Sequence, residues 1–282
     1  MDGITLIRHP VGIGGVIAEI MLDRPPVNAV STELAHSLAA ACAELAGEST
    51  VRAVVLSGAP GPAFCAGADL KERAGMSDAD IMRQRPVTRA MFGAVLALPQ
   101  PAIAAVHGFA LGGGCELALS CDLIVADETA VFGLPEVTVG LVPGGGGTQL
   151  ALRRLGAGRA ADLVLTGRKI AIDEAERLGI VDRRVASGTT AGGTTADGDD
   201  GTRDRRGEAV RAAALELAEQ IAANSPVAVR AAKQALRNGW GTALPAGLDI
   251  EDAAWRTAAL SADRREGIAA FAEKRPPSWP AD

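Results

Sequence analysis

The stretch from Ala102 to Ala126, AIAAVHGFALGGGCELALSCDLIVA, constrains the chain more than any other. It is nearly apolar enough to span a bilayer. It also carries three consecutive glycines, Gly112 to Gly114, together with Glu116 and Asp122. Charges at bilayer depth are expensive and glycines punctuate local structure, so the stretch reads as strand, glycine turn, helix and strand inside a folded body.

The flanking sequence has the same rhythm. Short apolar runs alternate with helical patterns through the first half, as expected of a layered α/β fold. Ile4 to Arg8 and Val16 to Leu22 are predicted as a strand pair turned by Gly12 to Gly15. Ser31 is predicted to cap a helix whose apolar positions, Leu34, Leu38, Cys42 and Leu45, follow its period. Arg52 to Ser57, Ala102 to Val106 and Leu123 to Ala126 read as buried strands. Ser77 and Asp80 form a capping-box pattern for a helix running toward Leu98, which Pro86 is expected to kink or break. Asp173 opens a short helix that stops at Gly179, and Ile180 to Val185 is strand-like. Helices are expected over Glu208 to Ala223, Pro226 to Arg237 and Glu251 to Lys274, the last interrupted near Ser261. The expected organisation is a core over residues 1–185, a flexible surface insertion over 186–207, rich in Gly, Thr and Asp, and a helical C-terminal region over 208–282.

Composition narrows the function. Only 3% of the 282 residues are aromatic and there is no Tyr, so the core must be built from Ala, Val, Leu and Ile. The net charge of −6 comes with scattered rather than striped cations, which disfavours nucleic acid as a partner. Cys42, Cys65, Cys115 and Cys121 form no CxxC pair and have no nearby His at ligand spacing, so no metal site is expected. No secretory signal is visible, and a cytoplasmic protein without membrane contact is expected.

Three segments carry chemistry: Phe64 to Leu70 (FCAGADL), Gly108 to Asp122 and Phe132 to Gly147 (FGLPEVTVGLVPGGGG). Glycines before a helical run let the backbone approach a ligand and leave N–H groups at the positive helix end, where an oxyanion can be held. Glu116 follows Gly113 by about one turn, so a donor and an acid or base share one ligand. Taken alone, a triple glycine more often serves tight turning or close packing, and Glu116 could be a favourable first-turn charge. Ala66, Gly67 and Ala68 are too small to obstruct a ligand. Glu136 follows Pro135 in a strand-to-helix connection, where α/β proteins often place function, although a lone Glu there is commonly solvated.

In this order and spacing the three segments resemble the crotonase superfamily, and the resemblance is strongest to enoyl-CoA hydratases. It extends to LDRPPVNAV at Leu22 to Val30, Leu165-Thr-Gly167, and Asp263 to Gly267 followed by Phe271 to Arg275. It implies a fold of stacked ββα units with a helical C-terminal region, assembling as a homotrimer or homohexamer. It further implies that the amides of Ala68 and Gly113 hold the thioester oxygen, that Glu116 activates water and that Glu136 delivers a proton. Ala66, Leu70, Gly144, Phe271 and Lys274 then contact the coenzyme A ester, the last two often toward a neighbouring subunit; a turn for Gly144, core packing for Phe271 and a solvated helix charge for Lys274 are the alternatives. Water would add across a 2-enoyl-CoA to give a 3-hydroxyacyl-CoA, a step of fatty-acid β-oxidation, with coenzyme A as part of the substrate and no separate cofactor. Isomerisation or another acyl-CoA lyase reaction, and an idle acyl-CoA-binding protein, are the alternatives. Gly144 to Gln149 lacks the ending of a phosphate loop, and His9, His36 and His107 have no GxSxG serine to serve.

Overall fold

The computed structural model describes residues 2–12, 14–186 and 207–279. Two sheets form its core among the described residues. The chain begins with the antiparallel pair β1 (Ile4–Val11) and β2 (Gly15–Leu22), registered from Ile4 opposite Leu22 to Val11 opposite Gly15. Helix α1 (Thr32–Ala46) is capped by Ser31, whose hydroxyl accepts from the Leu34 amide, and it buries Leu34, Leu38, Cys42 and Leu45 as its period requires. Then come β3 (Val51–Gly58), β4 (Ala63–Cys65), the five-residue α2 (Leu70–Ala74) and the long α3 (Asp78–Leu96).

The stretch that could have been a membrane span divides as its glycines demand. It yields β5 (Ala102–Val106), β6 (Phe109–Leu111), α4 (Gly113–Ser120) and β7 (Leu123–Asp127). Next are β8 (Val131–Gly133), a 3-10 helix (Pro135–Val139), α5 (Gly147–Leu155), α6 (Ala157–Thr166), β9 (Lys169–Ala171), α7 (Ile172–Leu178) and β10 (Arg183–Val185). The helices α8 (Glu208–Ala222), α9 (Pro226–Gly239), α10 (Leu244–Ala259) and α11 (Ala262–Glu273) follow. Among the described residues no helix is long and apolar enough to cross a membrane.

The larger sheet has the order β1-β2-β3-β5-β7-β10 and is parallel from β2 onward; the smaller has the order β4-β6-β8-β9. Because strand side chains alternate between faces, β2, β3, β5 and β7 feed two cores. Ile20, Leu56, Ala104 and Ile124 join the main one, with α1, α3 and α4. Ile17, Val55, Ile103 and Val125 face the opposite way and are covered by Val210, Ala214, Leu217 and Ala218 of α8.

Three expectations need correction. Pro86 does not end α3, which continues from Asp78 to Leu96. Pro86 is exposed and Met82, one turn earlier, is 70% exposed, so the carbonyl deprived of its hydrogen bond faces water. The strand expected from Ile180 shrinks to Arg183–Val185, because Gly179 in the left-handed region turns the chain and Ile180 donates back to Ala175. The C-terminal helix expected from Glu251 begins at Leu244, with a proline in its first turn where the missing donor costs nothing. Its predicted break stands at Ser261, which caps α11. The insertion expected over 186–207 lies, but for its end residues, outside the described residues.

Candidate active site

Strand β4 and the turn into α4 are pressed together at glycines. A methyl group on Gly114 would stand 1.9 Å from the Cys65 carbonyl, and one on Gly67 would stand 2.7 Å from the Leu111 carbonyl. Gly67 adopts φ +95° and Gly112 φ +52°. This contact sets the Ala68 and Gly113 amides side by side, the Ala68 nitrogen being 3.9 Å from where a Gly113 methyl would sit. Among the described residues the Ala68 amide donates to no backbone acceptor, because its neighbours take the bridge to Val30: Val30 donates to Gly67 at 2.8 Å and Asp69 to Val30 at 3.0 Å. The Gly113 amide opens α4 and has no partner within the helix.

The strap from Arg24 to Val30 fixes this arrangement. Arg24 Nη2 pairs with Asp69 Oδ2 at 2.7 Å and Nη1 donates to the Ala29 carbonyl at 3.0 Å. The buried Asn28 side chain donates to the carbonyls of Ala63 and Phe64 at 3.1 and 3.0 Å.

Glu116 stands in the first turn of α4 and is 3% exposed. Its Oε1 accepts from the amides of Gly145 and Gly147, each at 2.7 Å. The loop supplying them is tied to α3, since Arg85 Nη2 donates to the Gly144 carbonyl at 2.6 Å. Burial raises the Glu116 pKa above the usual carboxylate range, and the two amide bonds offset part of that shift.

Glu136 lies on the 3-10 helix, with Oε1 3.1 Å from where a Gly112 methyl would be. Its Oε2 is buried with no hydrogen-bond partner among the described residues. Burial first, and then the nearby charge of Glu116, push its pKa up to about 7.

One cleft of about 340 Å³ collects these groups. Ala66, Ala68, Leu70, Gly113, Glu116, Glu136 and Gly144, all singled out by sequence, line it. Phe271 and Lys274 do not: Phe271 is 87% exposed on α11, and Lys274 is exposed at its C-cap. Sequence reasoning missed the wall made by α2 and α3, which contributes Arg73, Gln84, Arg85 and Phe92. It also missed the amides of Gly145 and Gly147, although four consecutive glycines ahead of a helix were a usable signal.

Among the described residues no group of three or more His, Cys, Asp or Glu could hold a metal. All four cysteines are free and buried, and burial pushes each thiol up to about 12, far from a neutral-pH nucleophile.

Two neighbouring amides and two carboxyls thus line one cleft, and comparison with known proteins names the class of the protein. The family model described as enoyl-CoA hydratase/isomerase matches residues 12–192 and 206–282. The human enoyl-CoA hydratase domain-containing protein 2, mitochondrial, is 39% identical over 274 residues, 97% of this chain and 88% of that protein. The enoyl-CoA isomerase/hydratase fer4 of Mycosarcoma maydis is 39% identical over 270 residues, 93% of this chain and 91% of that protein. The crystal structure of an enoyl-CoA hydratase from Bacillus anthracis superposes with a TM-score of 0.87 at 38% identity, covering all of both chains. The chain belongs to the enoyl-CoA hydratase/isomerase family, within the crotonase superfamily, and has its fold.

Proposed function

We propose that this protein is an enoyl-CoA hydratase, adding water across the 2,3 double bond of a 2-enoyl-CoA to give the 3-hydroxyacyl-CoA. The observation that carries the reading is Glu136 Oε2, a carboxyl oxygen buried in the cleft without a partner among the described residues and near the buried carboxyl of Glu116. Hydration needs one group to take a proton from water and another to give one to C2, and two carboxyls of raised pKa suit this pairing.

In the proposed reaction the thioester oxygen accepts from the amides of Ala68 and Gly113, which stabilise the enolate that forms as C3 is attacked. One such donor is worth on the order of a hundred- to a thousand-fold in rate. Glu116 takes the proton from the attacking water, whose oxygen bonds to C3, and protonated Glu136 delivers its proton to C2. The amides of Gly145 and Gly147 hold Glu116 in place for this. Ala66, Leu70 and Gly144 line the path of the ester. An isomerase needs only one carboxylate to carry a proton between carbons, so the second buried carboxyl favours hydration.

The proposed assembly is a homotrimer or homohexamer. Helix α10 buries none of its residues and exposes Leu244, Leu248 and Trp255, an apolar face suited to a second copy. Phe271 and Lys274 would then approach a neighbour's coenzyme A. Purified protein should consume the enoyl absorbance of crotonyl-CoA with no added metal or nucleotide and give 3-hydroxybutyryl-CoA. Tight ester binding with no turnover of any 2-enoyl-CoA would overturn the reading.

A further inference from the structure

The loop from Gly144 to Gly147 holds Glu116, and α3 in turn holds the loop at two points. At the first, Arg85 Nη2 donates to the Gly144 carbonyl at 2.6 Å, and the guanidinium atoms stand 3.2 to 3.4 Å from where a Gly144 methyl would be. At the second, the ring of Phe92 covers Gly145, with Cε2, Cδ2 and Cζ 2.3 to 2.5 Å from where a methyl would stand. A side chain on Gly145 would push the loop off the helix, so the close seat requires bare backbone. Arg85 and Phe92 are about two turns apart and project from one face of α3. The same ring reaches the oxyanion turn, its Cζ lying 3.6 Å from where a Gly113 methyl would sit.

Helix α3 is a firm base for this seat. Phe92 is 5% exposed, and Met91 and Val95 beside it join the main core. Gln84 ties the helix to α1 and α2, donating to the Thr32 hydroxyl at 2.8 Å and to Glu72 at 3.2 Å. On its other side the loop presents the amides of Gly145 and Gly147 to one oxygen of Glu116, so any displacement of the loop disturbs both bonds together. A misplacement of about 1 Å at a reacting group can cost on the order of a hundred-fold in rate. The other charged groups that face Glu116 are Arg73 from α2, Arg85 itself from α3 and Glu136 from the 3-10 helix.

We propose that Arg85 and Phe92 are positioning residues, which seat the loop so that the Gly145 and Gly147 amides hold Glu116 where it takes a proton from water. The assignment rests on the hydratase reading for what Glu116 does, but amide exchange tests the seating with no turnover at all. Arg85 is exposed, so Arg85→Met should fold and melt as the wild type does. Hydrogen exchange read by mass spectrometry should show the peptide carrying Gly145 and Gly147 exchanging about ten-fold faster in this variant, with peptides of α1 unchanged. With crotonyl-CoA, kcat should fall by on the order of ten-fold while KM stays within about two-fold. The acidic limb of the kcat profile should move to higher pH, because the two amide bonds and the Arg85 charge all oppose the rise that burial imposes on Glu116. Phe92→Leu removes no charge, so a shift of the limb in the same direction there belongs to the amides; a limb left in place would remove Phe92 from the assignment. Gly145→Ala, whose methyl meets the ring at 2.3 Å, should show the same split between kcat and KM more strongly. Wild-type exchange of that peptide in Arg85→Met, or faster exchange with an unchanged kcat, would overturn the proposal. If no 2-enoyl-CoA is hydrated while the exchange rises, the reaction was misread and the seating was not.

Discussion

At the scale of single residues the site turns on two carboxyls held differently. Glu116 has two amide donors on one oxygen, and a glutamine can accept the same two bonds, so Glu116→Gln should fold normally. Its kcat should fall by about a hundred-fold or more, with little change in ester affinity measured by calorimetry. Glu136 carries the pH dependence. With its pKa near 7 it holds its proton up to neutrality, so kcat should decline as pH rises through about 7. Its effect on stability has the same sign. The folded-state value lies above the unfolded 4.5, so the carboxyl does not disfavour folding below that pH, disfavours it increasingly as pH rises from 4.5 to about 7, and holds that full cost above it. Glu136→Gln should therefore melt at a higher temperature than the wild type at pH 8, and the gap should close near pH 4. Thermal melts at the two pH values decide this; a variant less stable than the wild type at pH 8 would refute the burial account.

At the scale of elements, legibility followed the source of the signal. Local chemistry was readable: Ser31 caps α1, and Ser77 with Asp80 forms a full capping box on α3. What depends on the other side of a segment was not. Whether Pro86 breaks a helix depends on whether the Met82 carbonyl meets water, and a sequence does not show that. Helix α2 is five residues long with no buried side chain, so it has no apolar period to detect, and with it Arg73 went unread. Glu116, Glu136, Ala68 and Gly113 were picked out through their motifs, but the amides that hold Glu116 come from about thirty residues downstream and only the fold brings them there. The contact of β4 with the α4 turn gives the sharpest test at this scale. Gly67→Ala forces a side chain onto φ +95° and within 2.7 Å of the Leu111 carbonyl. It should cost about 1–3 kcal/mol in denaturant unfolding and lower kcat more than it changes KM, because the amide it tilts is that of Ala68.

At the scale of the whole molecule, every residue lining the cleft falls between Val30 and Gly145, so the C-terminal helices serve the site from outside it. The family model itself skips residues 193–205, and removing them should leave hydration of crotonyl-CoA within about two-fold of the wild type, since shortening a connection changes closure entropy little. The way α8 lies on the back of the larger sheet has a further consequence. Val210, Ala214, Leu217 and Ala218 close a strip of Ile17, Val55, Ile103 and Val125. Recognition between the two parts of the chain is thus carried by the strip. The gene could be cut between them into two, with residues 1–186 aggregating when made alone and recovering turnover when 207–282 is made in the same cell. The second piece would then act as an obligate folding partner that lines no part of its own copy's cleft.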